Sequence, residues 1–315
     1  MGPLLGVDVG GTSVKAGIVI GDGNLYRGVR RIELDARQQA EPLLEELCAG
    51  LRRVLDEGAG SGPITGVGIG MPGPFDYERG ISLIRGQDKF DSLYGMDVGA
   101  QIRRRLELPA EVPVRFINDA VAFALGECLY GAGRGFDRVL AITLGTGFGC
   151  ALVERSGAVA WEVEAYAMPY RDRRVDDYLS RRGILSLWRS KYQSRSSLHD
   201  AAEPADVEAL AKAAFAGDEA CRQLFREWGE MLAEVLASVV TETRPECIVV
   251  GGAIAQSLHL FRDPLDRSLS GIGQQPSSPH REPGPEVIPC VVAACDTYAA
   301  VKGAAAAVSR GRQLP

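Results

Sequence analysis

The sequence predicts an α/β protein of two related lobes, and three observations carry that prediction. Short apolar strands alternate with amphipathic helices along the chain. A strand, a glycine-rich turn and a second strand occur near the N-terminus and occur again over residues 138–153. At 315 residues, the chain is long enough for two domains that each bury a core of their own.

The first half of the chain has the pattern of one α/β domain. Strands are predicted at Leu4–Val9 and Val14–Ile20 around a glycine turn, and Leu25–Ile32 returns as a third strand. Leucines at three-to-four spacing predict a helix from about Pro42 to Leu55. The remaining predicted elements are a strand at Ile64–Ile69, a short helix around Gln101–Leu106 and a strand at Val112–Ile117.

The same pattern restarts in the second half. The predicted elements are a helix at Ala120–Tyr130, strands at Arg138–Thr143 and Cys150–Val153, a long helical region from Leu224 to Val239, strands at Cys247–Val250 and Glu286–Val292, and a helix at Tyr298–Val308. Residues 271–285 are predicted to be an exposed loop. We assign residues 1–118 to an N-terminal α/β lobe, on which the helix at 298–315 packs back, and 119–297 to a C-terminal α/β lobe with helical insertions.

Charge and cysteine content argue against several classes of protein. The formal net charge is −6, which argues against a nucleic-acid footprint. The basic stretch Arg171–Arg174, which continues to Arg181 and Arg182, is interleaved with Asp172, Asp176 and Asp177, and this pattern predicts a self-paired, solvated helix face. The seven cysteines are scattered in mostly apolar contexts, as expected of buried reduced thiols. No stretch reaches the ~18–20 apolar residues of a membrane span, so we expect a cytoplasmic protein without a membrane partner.

Three glycine turns, each following an apolar strand, are the candidate binding sites for phosphate and nucleoside. In the first, Gly10 and Gly11 allow backbone amides to approach phosphate oxygens. Thr12 and Lys15 add hydrogen-bond donors, and Asp8 at the strand end can hold Mg²⁺ through water. The second turn has the same chemistry without the lysine, in Gly145, Thr146 and Gly147. The third, Gly251-Gly252, opens a helix and suits the close approach of a flat nucleoside.

Asn118 and Asp119 directly follow a predicted strand. An aspartate at a strand end can accept the proton of an attacking hydroxyl, and phosphoryl transfer otherwise needs mainly positioning and charge neutralisation. The structural alternative is a helix N-cap, for which Asn and Asp are preferred residues. The two roles are compatible, because a cap would also fix the backbone that carries the carboxylate.

Two nucleotide-binding motifs and a histidine metal site are excluded. Residues 68–73 match G-x-G-x-x-G, but Pro72 and Pro74 disfavour the helix that a dinucleotide site needs. The chain contains no G-x-x-x-x-G-K-[ST] motif. His199, His259 and His280 lie far apart without the spacing of metal ligands.

In order and spacing, these motifs resemble the ROK (repressor, open reading frame, kinase) family, which includes glucokinase-like sugar kinases. The resemblance covers nearly the whole chain and is carried by Asp8–Lys15, Met71–Gly73, Asn118–Ala120, Leu144–Gly149 and Val250–Gly252. It implies a two-lobed actin-like ATPase fold (ribonuclease H-like, hexokinase-type) with a ligand cleft between the lobes. It also implies ATP, Mg²⁺, a small-molecule sugar and a homodimer.

The resemblance assigns roles residue by residue. Asp119 would be the catalytic base, and Asn118, Glu164 and Gly73 would contact the sugar. The ATP and phosphate contacts would come from Asp8, Gly10, Gly11, Thr12, Lys15, Gly145, Thr146, Gly147, Gly251 and Gly252. The family's zinc motif is missing, since Tyr166 and Ala167 replace its Gly-His and residues 169–183 contain no cysteine. We therefore expect no structural zinc, and Trp161, Tyr166 or Tyr170 packing on the sugar.

The function predicted from these residues is ATP-dependent phosphorylation of a hydroxyl of a hexose or hexosamine. The main alternative is a catalytically silent sugar- or nucleotide-binding regulator of the same fold, which the missing zinc motif favours. The family's DNA-binding repressors are a weaker alternative, because no basic helix precedes the first strand. Other actin-like ATPases would leave Asn118-Asp119-Ala120 unexplained.

Overall fold

The computed structural model describes residues 2–11, 13–162, 167–198, 206–272, 290–294 and 297–309. The chain divides into two compact units. The first comprises Met1–Gly135, Val153–Ala160 and Cys295–Pro315, and the second comprises Phe136–Leu152 and Trp161–Ala294. Thr12, Glu164 and Tyr166, which the sequence analysis singled out, lie outside the described residues. None of the described helices is long and apolar enough to cross a membrane.

A five-stranded sheet forms the centre of the first unit. Its strands are β1 (Leu4–Val9), β2 (Ser13–Ile20), β3 (Asn24–Glu33), β4 (Gly66–Met71) and β7 (Val114–Asn118), in the order β3-β2-β1-β4-β7. The first three strands pair antiparallel, whereas β1, β4 and β7 are parallel. Between β4 and β7, β5 (Phe75–Asp76) and β6 (Ile81–Ser82) form a short antiparallel pair. These strands lie in a segment for which the sequence predicted no regular structure.

The second five-stranded sheet repeats this order. Its strands are β8 (Arg138–Leu144), β9 (Phe148–Glu154), β10 (Val159–Glu162), β13 (Cys247–Gly251) and β14 (Cys290–Ala293), in the order β10-β9-β8-β13-β14. Three consecutive strands are again followed by two parallel ones, since β13 pairs in parallel with β8 and β14 pairs in parallel with β13. The repetition that the sequence predicted is therefore present in the described strands.

Several helices begin at short polar residues that satisfy their first backbone N–H groups. The helices are α1 (Ala40–Gly58), α2 (Val98–Arg105), α3 (Asp119–Tyr130), α4 (Val175–Tyr178), α5 (Arg181–Leu187), α6 (Val207–Ala216), α7 (Glu219–Thr243), α8 (Leu258–Ile272) and α9 (Ala299–Ser309). Asp97, Asp206 and Asp218 accept from the N–H groups of Ala100, Ala209 and Cys221 at 2.8–2.9 Å. Such caps contribute about 1 kcal/mol each.

Alternation along β1 supplies both faces of the first sheet. Leu5, Val7 and Val9 are buried in one cluster with the leucines of α1. Leu4 points to the other face and is buried with Val301 of α9. The helix α9 therefore lies on the first sheet opposite α1.

Glycines bring α3 and α9 into unusually close contact. A Cβ atom built on Gly126 would lie 1.8 Å from the carbonyl oxygen of Ala299, and one on Gly303 would lie 1.8 Å from that of Ala122. Because α3 packs in this way, it belongs to the first unit, which continues to Gly135. The boundary expected at residues 118/119 thus lies one helix earlier than the boundary of the compact unit.

The prediction for the basic stretch at Arg171–Arg174 is correct only in part. Its prediction as a helix face is wrong, since β11 (Pro169–Tyr170) and β12 (Arg173–Arg174) pair antiparallel around Arg171, whose φ is 53°. Helix begins at Val175, and Asp176, Asp177, Arg181 and Arg182 do lie on α4 and α5, so the predicted helix is present in the later part of the stretch. The predicted ion pairing is present nearby, because Arg182 contacts Asp177 at 2.9 Å. The predicted loop at 271–285 lies almost wholly outside the described residues.

We predict that Gly303→Ala lowers the free energy of unfolding by about 1–3 kcal/mol, because the added methyl group would collide with the backbone of α3. Helix propensity alone would change stability in the opposite direction by up to about 1 kcal/mol. The half-buried Ala307 on the same helix is the matched control. Ala307→Gly should lower the free energy of unfolding by about 1 kcal/mol, the difference in helix propensity alone. Denaturant unfolding measures both, and a stabilised Gly303→Ala variant would contradict the close contact.

Candidate active site

Three parallel strands of the first unit end together and bring the predicted polar residues to one edge of the sheet. In the strand register, Asp8 of β1 lies opposite Gly70 of β4, and Met71 of β4 lies opposite Asn118 of β7. Ligands of open α/β sheets bind outside the carboxyl ends of such strands. The structure therefore brings Asp8 and the Asn118-Asp119 pair together, although 110 residues separate them in the sequence.

The Asp8 carboxyl has a raised pKa. Burial and, to a smaller extent, the negative charge of Asp119 raise its pKa from the ordinary value of 3.8 to about 6, against the opposing charge of Lys15. Lys15 lies directly opposite Asp8 in the antiparallel pair of β1 and β2. The desolvated carboxylate is thus only partly compensated by the protein itself.

Asn118 is the N-cap of α3, as one interpretation of the sequence predicted. Its Oδ1 accepts from the N–H groups of Ala120 at 2.8 Å and Val121 at 3.3 Å. Its Nδ2 donates to the hydroxyl of Tyr77 at 3.1 Å. One amide hydrogen of Asn118 therefore remains for a ligand.

Asp119 occupies the first position of α3, where its Oδ1 accepts from the N–H of Ala120 at 2.9 Å. Burial raises the pKa of this carboxyl, whereas the charge of Lys89 and the hydrogen bond from Ala120 lower it. A half-buried carboxyl whose proton affinity is raised in this way suits a general base. The helix start also fixes its backbone.

Tyr77 and Gln87 were missed by the sequence analysis. The Tyr77 hydroxyl donates to the carbonyl of Met71 at 3.1 Å, and it would lie 3.2 Å from a Cβ atom at Gly73. Gln87 donates to the carbonyl of Gly73 at 3.4 Å. Gly73 therefore lies next to Asn118 through Tyr77. Neither Tyr77 nor Gln87 has a sequence signal, because each reaches the site from an irregular segment.

The first glycine turn is closed by its own backbone. The N–H of Gly10 donates to the carbonyl of Ser13 at 3.0 Å. The side chain of Lys89 runs beside this turn, since its Cδ would lie 3.6 Å from a Cβ atom at Gly11. Lys89 was also missed, because its position next to Gly11 depends on a contact between segments about 80 residues apart.

The second unit contains the other two glycine turns. Between β8 and β9, the N–H of Gly145 donates to the carbonyl of Gly147 at 3.1 Å, and Thr146 and Gly147 are exposed. The Oδ1 of Asp176 accepts from the N–H of Phe148 at 2.8 Å. Asp176, which the sequence placed in a solvated charged face, therefore anchors this turn.

The third turn lies against the second. Gly252 has a φ of 90°, and a Cβ atom there would lie 2.3 Å from the carbonyl oxygen of Leu144. Only glycine combines that backbone conformation with so close an approach. Gly145–Gly147 and Gly251-Gly252 thus form one group within the second unit.

Two of the aromatic residues proposed to pack on a sugar have partners inside the second unit. The indole Nε1 of Trp161 donates to Glu242 at 3.3 Å. The hydroxyl of Tyr170 donates to Glu234, and its ring meets Tyr178 edge to face at 5.3 Å. Both rings also pack on the core of the unit. Because both rings are already engaged in this way, the structure gives no support for their stacking on a sugar.

The carboxylates at the strand ends could hold a metal ion only if a bound phosphate supplied further ligands. Among the described residues, no three His, Cys, Asp or Glu side chains cluster as a metal site would require. Mg²⁺ in phosphoryl-transfer sites is typically held by one or two carboxylates together with substrate phosphates. Asp8, desolvated beside the first glycine turn, fits that requirement.

The duplicated β3-β2-β1-β4-β7 order, with helices on the parallel strands, defines the actin-like ATPase fold. The chain belongs to the ROK family, whose model matches residues 4–158 and 171–310. The predicted fold class and family are therefore confirmed.

Relatives of the chain include named sugar kinases. It is 29% identical over 281 residues to a glucokinase of Thermotoga maritima, covering 83% of this chain and 85% of that protein. It is 26% identical over 302 residues to an N-acetyl-D-glucosamine kinase of Escherichia fergusonii, covering 86% and 91%. A ROK family glucokinase from Streptomyces griseus, solved with glucose and AMPPNP, superposes with a TM-score of 0.74 at 24% identity, covering 98% and 100%.

We predict that Asp8→Asn raises the thermal unfolding midpoint of the ligand-free protein at pH 7.5, by the equivalent of about 1–3 kcal/mol. A carboxyl whose folded pKa is raised to about 6 destabilises the fold as pH rises from about 4 to 6, and this penalty is complete above pH 6. The gain should therefore shrink at pH 4.5. The exposed Asp22→Asn is the control, and an equal gain at both pH values would contradict the assignment.

We predict that Asp176→Ala weakens nucleotide binding about tenfold, because the Phe148 N–H loses the acceptor that shapes the second glycine turn. Asp176→Asn retains an oxygen acceptor at the same place and should bind nucleotide within about threefold of the wild type. Titration calorimetry with ADP compares the two variants. Similar losses in both would show that the negative charge matters and that the hydrogen bond to the turn does not.

Proposed function

We propose that the chain is an ATP-dependent sugar kinase that phosphorylates a hydroxyl of a hexose or hexosamine. One observation carries this proposal: a desolvated carboxyl, Asp119, is fixed at the start of α3 beside Asp8 and the first glycine turn. Membership of the ROK family and the names of the relatives, glucokinase and N-acetyl-D-glucosamine kinase, support the same class of reaction.

Asp119 is the proposed general base. Its carboxylate accepts the proton of the sugar hydroxyl as that oxygen attacks the γ-phosphorus, and ADP leaves. Burial supports this role because it raises the pKa of Asp119 towards the range in which a carboxylate takes up a proton effectively. The charge of Lys89 and the hydrogen bond from the Ala120 N–H oppose that rise.

The sugar contacts are proposed from the neighbours of Asp119. Asn118 has one amide hydrogen to donate to a sugar oxygen, because its other polar atoms already cap α3 or bond Tyr77. Gly73 offers a surface without a side chain next to Tyr77. Glu164, which lies outside the described residues, remains a proposed sugar ligand on the family resemblance.

The nucleotide contacts are proposed from the glycine turns. Gly10, Gly11, Thr12 and Lys15 would bind phosphate oxygens, as would Gly145, Thr146 and Gly147, and Gly251 and Gly252 would contact the adenosine. Mg²⁺ would be held through Asp8 and would neutralise phosphate charge. A homodimer is proposed on the family resemblance alone, and a cytoplasmic location is proposed from the scattered cysteines in mostly apolar contexts.

The decisive experiment measures ADP release with ATP and Mg²⁺ against glucose, fructose, mannose, allose, N-acetylglucosamine and N-acetylmannosamine. We predict turnover with one sugar or a closely related pair. Asp119→Asn should lower kcat by roughly 10²–10⁴, the range for a lost general base. The substitution keeps an oxygen acceptor for the Ala120 N–H, so the helix start is preserved.

Asp56→Asn is the matched control, since this exposed residue lies on α1 of the same unit. It should leave kcat unchanged. A loss of only a few-fold in Asp119→Asn would refute the assignment of the base. No turnover with any sugar, together with sugar-dependent thermal stabilisation, would favour the silent regulator over the kinase.

A further inference from the structure

The segment around Lys89 has a strained backbone. Asp88 and Phe90, the residues on either side of Lys89, have φ angles of 54° and 59°. Residues with a side chain rarely adopt this left-handed conformation, which costs roughly 1–2 kcal/mol each. Such strain persists only where the surrounding structure enforces it, and it concentrates at functional sites.

Several contacts enforce this conformation. The carboxylate of Asp91 accepts from the N–H groups of Gln87 at 3.2 Å and Asp88 at 3.1 Å. The N–H of Phe90 donates to the carbonyl of Ala36 at 2.6 Å, and the Phe90 ring is 1% exposed. Lys89 is therefore carried on a short segment that is fixed on both sides.

The side chain of Lys89 leads from this segment to the proposed reaction site. Its Cδ lies beside Gly11, with 3.6 Å to the position of a Cβ atom there, so its aliphatic part covers the first glycine turn. Its positive charge is the largest of the effects that lower the pKa of the Asp119 carboxyl. One lysine thus contacts the turn proposed for phosphate and acts on the proposed base.

Among the described residues, no ion pair neutralises the ammonium group of Lys89. Within the part of the chain that the structure describes, no carboxylate oxygen lies within 4.0 Å of its Nζ. Arg85 on the same segment differs, because its guanidinium lies over the ring of Tyr94 at 5.3 Å. A half-buried cation on an enforced backbone, beside a glycine turn, is suited to bind an anion.

We propose that the Lys89 ammonium binds the phosphoryl group that is transferred from ATP. This inference rests on the proposed function. As the sugar oxygen loses its proton to Asp119, the new O–P bond forms and the bond to the β–γ bridging oxygen breaks. Lys89 donates hydrogen bonds to the γ-phosphoryl oxygens throughout and neither gains nor loses a proton. ADP lacks this group, so Lys89 distinguishes nucleoside triphosphate from diphosphate.

The test compares Lys89→Gln and Lys89→Arg with the wild type. Titration calorimetry with AMPPNP and with ADP, each with Mg²⁺, measures the two dissociation constants. Lys89→Gln should weaken AMPPNP binding at least about tenfold while ADP binding changes less than about twofold. In turnover with the preferred sugar, kcat should fall about 10²–10³-fold, as for a lost electrostatic stabiliser, with little change in the KM for sugar. Lys89→Arg should recover part of both.

Arg85→Gln is the matched control, because it removes one positive charge from the same segment away from the glycine turn. It should change neither dissociation constant. Equal weakening of AMPPNP and ADP in Lys89→Gln would overturn the proposal, and so would a rise in the KM for sugar at constant kcat. A thermal midpoint unchanged from the wild type excludes a structural cause, and Lys89→Arg provides the comparison if the glutamine variant unfolds.

The binding and turnover measurements separate this proposal from the proposed function. If the wild type binds AMPPNP but phosphorylates none of the sugars, the kinase assignment fails, and the ratio of the two dissociation constants still decides the role of Lys89. If the wild type binds neither AMPPNP nor ADP, the role of Lys89 is overturned together with the nucleotide site.

Discussion

The close packing of α3 on α9 is the constraint on which the proposed chemistry depends. Asp119 is the first residue of α3, so its carboxyl can be no better positioned than that helix. Gly126 and Gly303 allow backbone to meet backbone, and Gly68 of β4 admits the Ala304 carbonyl in the same way. Interfaces without intervening side chains have few alternative packings. A helix near the C-terminus thereby holds a catalytic candidate that follows β7.

The charges at the strand ends show a balance between stability and function. Burial raises the pKa of both carboxyls, Asp8 and Asp119, and the charge of Asp119 raises the pKa of Asp8 as well. Lys15 opposes the rise at Asp8, and Lys89 opposes it at Asp119. An arrangement selected for stability alone would remove one carboxyl or bury both lysines against them. The proposed site for Mg²⁺ and phosphate would instead keep charges that are satisfied only when the ligand is bound.

Sequence reasoning predicted what depends on local pattern. The strands, the three glycine turns and the internal repeat follow from apolar periodicity and turn residues, and the family resemblance added the fold. Tyr77, Lys89 and Asp176 were missed because their roles arise from contacts between distant segments. The prediction of a helix at Arg171–Arg174 was wrong for a local reason, because the alternation of charges carries no information about the left-handed backbone at Arg171.

The cap formed by Asn118 limits how this site can change its substrate. Both possible roles of Asn118 were open in the sequence, and the structure shows that its Oδ1 is already committed to α3. Replacing Asn118 to suit another sugar would remove about 1 kcal/mol of helix capping and disturb Asp119 next to it. Tyr77 is tied to the same residue through the Asn118 amide, whereas the side chain of Gln87 bonds the carbonyl of Gly73. We therefore expect differences in sugar preference to arise at Gln87, where a change would leave the start of α3 intact.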